Sequence, residues 1–557
     1  MTTTDIPAQT AGPEPDTVPM TRREVMQALS GLMLGMFVSI LAGTVVANAL
    51  PRIIAALDGS QSVYTWIVTT ELLAMTATVP LWGKAADLYS KKLLIQLSLG
   101  LFVVGSLIAG FTPNVEILLV SRVVQGVGAG GMTALAMIVM AAMIPPREMG
   151  RYSGIFGAVF GIGTIAGPLI GGVLVDTSWL GWRWTFFIGV PFTLLAIYLL
   201  QRTLHLPATP PGKVKIDYWG AFLITAGVST LLIWSTLAGN KFAWASGWTA
   251  LLVTGGLVLL ALAVWVESRA AEPIIPLGIF RSRTVTLTTI ASVLVGLALM
   301  GGAVFLSQYF QISLGKSPTV AGLMSLPMIF GLLVSSTVAG GLITKFGKWK
   351  IYLVVGAVVM TAGMLLLGTI DHTTSVPLVS VYMAVLGIGV GLLMQNLVLA
   401  AQNDVPAHDL GVTTSVLTFF RSMGSAVGVS ALGAVMTARI SDLREERFGP
   451  APAGSSSSQV PDLASLPPEI KAIVAEIYGL ATADLFLVGA PIAALAFVVV
   501  LFIKEKPLST LSGADRLAME SAAADGTDIG GEDLGGQADA ERTAKTENRP
   551  DGLVRAE

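Results

Sequence analysis

Gly161-Ile162-Gly163-Thr164-Ile165-Ala166-Gly167-Pro168-Leu169-Ile170-Gly171-Gly172 sets five glycines and a proline inside a long apolar run. In water a helix would hardly keep them, since an interior glycine costs about 1 kcal/mol and an interior proline about 3 kcal/mol. Lipid changes the balance: small residues let helix backbones approach closely, and neighbouring helices satisfy the freed backbone groups. Gly163, Gly167 and Gly171 fall on one face, which predicts a tight helix–helix contact. Pro168 cannot donate to the carbonyl of Thr164 and predicts a bend beside that contact. Taken alone, such a stripe also reads as an ordinary packing seam, and the rest of the chain has to decide between the two.

Composition places the run in a membrane. The chain has 557 residues, 53% of them hydrophobic and 12% charged, where soluble proteins carry about 25% charged residues. The expected fold class is an all-α membrane protein. With no cysteine, and with His205, His372 and His408 far apart in sequence, a zinc cluster, a disulfide framework and a thiol nucleophile are excluded. No metal or cofactor is expected. The net charge of −2 reflects acidic residues in the C-terminal segment rather than in the apolar part.

A spanning helix needs about 20 apolar residues. Such windows recur at 30–50, 63–84, 93–111, 115–141, 151–175, 184–203, 217–238, 247–267, 284–310, 317–345, 349–370, 377–402, 410–440 and 482–503, which predicts about 14 spans. An even number puts both termini on one side. Arg22, Arg23, Lys84, Lys91, Lys92, Arg202, Arg283, Lys345, Lys348, Lys350, Lys504 and Lys506 fall on the terminal side, while the short loops opposite carry only Arg52, Arg183, Lys241 and Lys316. Positive loops face the cytoplasm, so both termini are expected there, in a multi-pass protein of the plasma membrane.

Gly83 to Lys92 and Gly340 to Lys348 place glycine and lysine alike in two interhelical loops, a faint internal repeat. Two related halves around a central pair is the simplest account, and repeats of this kind are the usual build of secondary transporters. The expected division is a cytoplasmic extension over 1–29, a six-helix bundle over 30–203, a central helix pair with linkers over 204–283, and a second six-helix bundle over 284–503. That second bundle is expected to hold an outer loop over about 441–480, and a disordered acidic tail is expected over 504–557.

Nucleotide motifs can be dismissed. Gly126-Val127-Gly128-Ala129-Gly130-Gly131 has the glycines of a dinucleotide fingerprint but follows an apolar helix start rather than a strand. Gly315-Lys316-Ser317 has Phe310 where a phosphate loop needs glycine. Without ATP chemistry or a nucleophile–base pair, the chain is not expected to be an enzyme, and transport would draw on an ion gradient or on the substrate's own gradient.

Gly83 to Lys92, Leu118 to Arg122 with Gln125-Gly126, and Gly163 to Gly172 together resemble the three signatures of the drug:proton antiporters of the major facilitator superfamily. Thr44 to Pro51, Trp182-Arg183-Trp184, Glu272 to Leu277, Ala321-Gly322-Leu323 and Thr418 to Gly424 are similar to its fourteen-helix branch. The resemblance implies proton-coupled efflux of hydrophobic, cationic drugs or antibiotics. Export of a lipid or an endogenous metabolite is the alternative within transport, and a membrane sensor the alternative outside it. The implied partners are a small hydrophobic substrate, protons and the lipid bilayer, with no nucleic acid, for a chain acting as a monomer.

The chain departs from the family pattern in informative places. Ala42 stands where relatives commonly carry a first-helix aspartate, Ser90 replaces a usual glycine and Leu88 a usual arginine. Glu71 sits near the centre of the second span and is expected to fill the gap, because a carboxylate at that depth costs several kcal/mol and marks function by default. The other reading is a glutamate lining water or paired structurally. Arg122 lies about 10 Å into the fourth helix at 1.5 Å per residue, with Gln125 on its face. By resemblance it belongs to the proton-handling signature; otherwise it ties helix backbones together. Gly83, Asp87, Lys91 and Lys92 look like the superfamily's cytoplasmic latch, in which a carboxylate caps a neighbouring helix start. Gln308, Tyr309, Gln311, Met394, Gln395 and Asn396 are candidates for the substrate cavity, and Arg421 reads as structural.

Overall fold

The computed structural model describes residues 22–57, 61–145, 180–204, 206, 217–238, 242–243, 245–270, 273–316, 318–449 and 467–524, with scattered positions between 146 and 179. Thr164, Pro168 and Gly172 lie outside the described residues. The chain is all-helical: among the described residues the nearest thing to a strand is an isolated bridge between Ala238 and Phe242.

The N-terminal helices are α1 (Arg22–Ala56), α2 (Gln61–Leu88), α3 (Lys91–Gly110), α4 (Val115–Met143) and α5 (Trp184–Thr203). A central pair follows, α6 (Tyr218–Leu237) and α7 (Gly247–Glu267). The second set comprises α8 (Arg283–Gln308), which ends in a π turn over Tyr309–Ser313, then α9 (Leu326–Phe346), α10 (Lys350–Leu367), α11 (Val376–Gln402), α12 (Leu410–Phe448) and α13 (Pro468–Leu501). A last helix, α14, covers Gly513–Ala524. Eleven described helices are long and apolar enough to cross a membrane, and Tyr218–Trp234 adds a shorter apolar one. Each expected window except 151–175, which is mostly outside the described residues, coincides with a helix. Polar residues set the starts: Asn114, Asp217, Ser246 and Ser282 each accept from a backbone amide three residues on, meeting donors that a helix leaves unpaired.

Within the first bundle α4 packs on α2 and α3, and α1 on α5; within the second, α8 packs on α12 and α11 on α9 and α10. The central pair packs on itself, and α6 also touches α2 and α12. The bundles meet through α2, α4 and α12, at the lysine-rich end of the molecule.

Two sequence expectations need correction. The loop expected over about 441–480 is shortened from both sides, because α12 runs to Phe448 and α13 starts at Pro468. The ion pair Arg447–Glu476 ties these extensions side by side, and Arg439–Asp484 joins the two helices just beneath them. The tail expected to be disordered from 504 is ordered as far as Ala524. Glu505 accepts from the amides of Trp349 and Lys350 at 2.9 and 3.2 Å, and Asn403 accepts from the amide of Ser509 at 2.9 Å and donates to the carbonyl of Pro507 at 2.9 Å. In α14, the Arg516 guanidinium donates to the carbonyls of Gln402 and Val405, and Glu520 accepts from the amide of Ala407 at 2.9 Å. The segment lacks apolar periodicity and is held by polar groups meeting the unsatisfied end of α11.

Charged hydrogen bonds of this kind are worth about 1.5–3 kcal/mol. Arg516→Ala is therefore expected to speed hydrogen exchange across 513–520 by at least about tenfold. Exchange unchanged from the parent chain would show that other contacts dock the helix.

Candidate functional site

Arg122 lies two turns into α4 and is 1% exposed. Its three nitrogens are all engaged: Nε donates to the carbonyl of Ile67 at 3.3 Å, Nη1 to Gln125 Oε1 at 2.9 Å, and Nη2 to the carboxylate of Glu71 in an ion pair. Gln125 in turn donates to Ser106 Oγ at 2.9 Å, which brings α3 into the network. The ring of Phe186 from α5 lies 6.0 Å from the guanidinium carbon. An unpaired guanidinium at this depth would be costly; here burial is matched by hydrogen bonds on every nitrogen. Ala42, by contrast, packs in an apolar cluster with Val38, Phe102 and Ala129.

The glycines that resembled a dinucleotide fingerprint account for this geometry. A Cβ at Gly126 would sit 2.8 Å from Ala74 Cβ and collide with the carbonyl of Glu71; one at Gly130 would sit 2.6 Å from the carbonyl of Met75. On the adjacent face, a Cβ at Gly128 would lie 2.6 Å from the carbonyl of Ser98. Four-residue spacing thus lays α4 against the backbone of α2, with α3 on the neighbouring stripe. The sequence signal was present, but spacing alone did not say which helices the glycines meet.

The Gly–Pro signature faces α1. A Cβ at Gly163 would come 3.0 Å from Ile40 Cγ2, and one at Gly167 would collide with the side chain of Thr44 and lie 3.0 Å from its backbone carbon. Thr44 Oγ1 also donates to the carbonyl of Gly163 at 3.2 Å. Gly171 is helical and buried.

At the lysine-rich end, Asp87 accepts from the amides of Gly411 and Val412 at 3.0 and 2.9 Å. These are first-turn amides of α12, whose free N–H groups favour a carboxylate. Gly83 packs on the same turn: a Cβ there would collide with Ser415 and lie 3.0 Å from the carbonyl of Gly411. Lys91 faces the Asp87 carboxylate, whereas Lys92 turns away and donates to the carbonyl of Gln201 at 2.7 Å.

The Major Facilitator Superfamily model matches residues 32–429. The chain belongs to that superfamily. It is 36% identical to an uncharacterized MFS-type transporter of Mycobacterium tuberculosis over 88% of this chain and 71% of the relative. It is 34% identical to the multidrug transporter protein MdtP of Bacillus subtilis over 81% of each chain, and 30% identical to multidrug resistance protein 3 of the same species over 80% of this chain and 86% of the relative. Among solved structures, the MFS proton:xylose symporter XylE superposes with a TM-score of 0.59 at 14% identity, covering 89% of this chain and 99% of that one. This last likeness concerns the fold.

As a major facilitator chain, the protein presents its signatures in three separate contacts: Glu71–Arg122 inside the first bundle, the glycine seam on α1, and Asp87 between the bundles. Of the six candidate cavity residues, Gln308, Tyr309 and Gln311 lie at the end of α8 and in its π turn, and Met394, Gln395 and Asn396 in α11. Tyr309 is fully buried, and its hydroxyl donates to the carbonyl of Asp371 at 2.7 Å; Gln311 donates to Ser307 Oγ at 3.1 Å. These two, with the half-buried Gln308 beside them, close the end of α8 remote from Arg283. Asn396 donates to the carbonyl of Leu392 in its own helix at 2.7 Å. Gln395 crosses to the first bundle and reaches Met137 Sδ at 3.5 Å, and Met394 beside it is half-buried. The sequence did not single out Ser106 or Ser415, which complete the contacts; hydroxyl residues carry little signal in a helix until their neighbours are known.

Proposed function

We propose that the protein exports hydrophobic drugs or antibiotics across the plasma membrane in exchange for protons, by alternating access, with both termini in the cytoplasm. The ion pair between Glu71 and Arg122 carries this reading. It is a titratable carboxylate inside an apolar bundle, balanced by a cation whose other donors are already engaged. In the proposed cycle the outward-facing protein receives a proton on Glu71. The neutral carboxyl releases Nη2 of Arg122, which keeps its bonds to Gln125 and Ile67. The bundles then exchange access along the close-packed glycine seams, and in the inward-facing state Glu71 loses its proton and re-forms the pair. The B. subtilis relatives named for multidrug transport and resistance support export of drugs. A cationic drug would have to displace Arg122 from Glu71. In proteoliposomes with an imposed pH gradient, ethidium or another dye of a broad panel should accumulate, and collapse of the gradient should discharge it; no gradient-driven flux of any panel member would reject the reading.

Contacts between the bundles at the lysine-rich end suit the outward-facing state, with Asp87 as the cytoplasmic latch. Asp87 lies beyond the apolar window of α2. Burial pushes its carboxyl up from 3.8 to about 7, with a smaller push from Asp409, against the lowering pull of Lys91 and of the amides of Val412 and Gly411. When the bundles part, the group meets water and returns to the usual carboxylate range near about 4. The docked state therefore holds its proton more tightly. Acidification from about pH 7 towards about pH 4 favours the latch, and raising pH through about 7 weakens it. The absence of cysteine allows spin labels at Ser90 and His408 alone. The docked distance should grow in population on going from about pH 8 to about pH 5, and Asp87→Asn should flatten that response. A wild-type distribution indifferent to pH would refute the latch chemistry.

A further inference from the structure

Two arginines lie deep within helices of this fold, and the protein treats them differently. Arg122 has an acceptor for every nitrogen. Arg421, eleven residues past the start of α12 and so about 16 Å along it, has none for its side chain among the described residues; beyond the helix's own ladder, its backbone carbonyl accepts from Ser425 Oγ at 3.1 Å. Its stem is nevertheless fixed. Ser425 also donates to the carbonyl of Gly296 at 3.1 Å, a Cβ at Gly296 would collide with the carbonyl of Arg421, and Gly424 and Gly428 press on Val293 and Leu297 of α8. The residue is half-buried, and a guanidinium at this depth in an apolar helix faces the bundle interior or a water-filled cavity rather than lipid.

Charge completes the argument. Well inside the described helices, Glu71 is paired with Arg122 and Asp484 with Arg439. Among the described residues no carboxylate pairs with Arg421, which is left as an uncompensated positive charge. A guanidinium does not shed its proton in a protein, and it offers five N–H donors in a planar fork that suits a carboxylate or sulfonate. A structural tie of the Arg122 kind needs acceptors, and among the described residues the Arg421 guanidinium has none. We infer that Arg421 receives an acidic group on the exported compound, so that hydrophobic organic anions are substrates of this transporter. The inference rests on the export reading above for its transport claim, but the binding site stands on the geometry of Arg421.

Two probes with the same fused rings separate these claims: anilinonaphthalene sulfonate, and phenylnaphthylamine, which lacks the sulfonate. Binding is measured on the full chain in phosphatidylcholine nanodiscs against empty discs, and flux in proteoliposomes of the same lipid. The wild type should bind the sulfonate at least about tenfold more tightly than the neutral amine. Arg421→Gln should erase that preference while leaving amine binding and amine flux unchanged, and Arg421→Lys should keep part of it. Equal loss of both probes in Arg421→Gln and Arg421→Lys, or sulfonate binding unaltered by Arg421→Gln, overturns the inference. If the wild type prefers the sulfonate through Arg421 but moves neither probe nor ethidium, the export reading falls and the anion site stands. If amine and ethidium are exported while Arg421→Gln leaves sulfonate binding and flux intact, the anion site falls alone.

Discussion

Glu71→Gln is expected to abolish uphill accumulation of substrate, bringing the inside-to-outside ratio to about that of protein-free vesicles, while downhill exchange persists. Glutamine keeps the shape of the side chain and can still accept from Arg122, but it cannot carry a proton at any accessible pH. The same change should also cost stability, because Arg122 loses the charge that balances it; breaking a buried pair from one side costs about 3–5 kcal/mol. A lower melting temperature alone would therefore say nothing about coupling. The pair of variants Glu71→Gln and Glu71→Leu/Arg122→Met resolves this, since replacing both partners by apolar residues is often neutral or stabilising. The double variant should recover thermal stability towards the parent and still fail to concentrate substrate. If either variant accumulates drug against its gradient with the parent's pH dependence, Glu71 is structural and the proton travels elsewhere.

Gly167→Leu should reduce exchange below about a tenth of the parent rate with membrane insertion intact. The physical ground is the seam with α1: even a methyl at Gly167 lands on the side chain of Thr44 and within 3.0 Å of its backbone carbon, so the helices must separate. In lipid that separation forfeits close packing and the bond from Thr44 to the carbonyl of Gly163. Gly163→Ala is the graded control. Its added methyl meets Ile40 Cγ2 at 3.0 Å and Cβ at 3.2 Å, a tight approach without backbone overlap that a shift of a few tenths of an ångström relieves, and at least about half of the activity should remain. Full activity in Gly167→Leu, with expression and chromatographic profile unchanged, would reduce the stripe to ordinary packing.

Much of the candidate site could be read before any helix was placed. Glu71 and Arg122 stood out because a charge in an apolar window is expensive, and Gly163 with Gly167 because glycine repeated at helical spacing points to a close contact. Asp87 stood out through its signature. Polarity at depth does not by itself name a partner. Tyr309 and Asn396 suggested a cavity because they are polar at depth, yet such a group can be satisfied by a carbonyl nearby as well as by a substrate, and Asp371 and Leu392 supply those carbonyls. The segment after 504 lacked apolar periodicity and was read as disordered, but Arg516 and Glu520 anchor it to backbone groups at the end of α11 and in the loop beyond.

By itself the sequence determined the all-helical membrane class, the position of nearly every helix, the even spacing of basic loops and the residues too costly to bury without purpose. Each of these is local: hydropathy over about 20 residues, helical period and the cost of charge in lipid act on one stretch of chain at a time. Only the tertiary structure decided what those stretches meet. Glu71 finds Arg122 across 51 positions, Asp87 finds the start of α12 across 324, and the glycines of α4 divide their contacts between α2 and α3. Between apolar helices in lipid no hydrophobic force fixes the rotation of one against another, so the pairing depends on small residues and hydrogen bonds contributed by both partners.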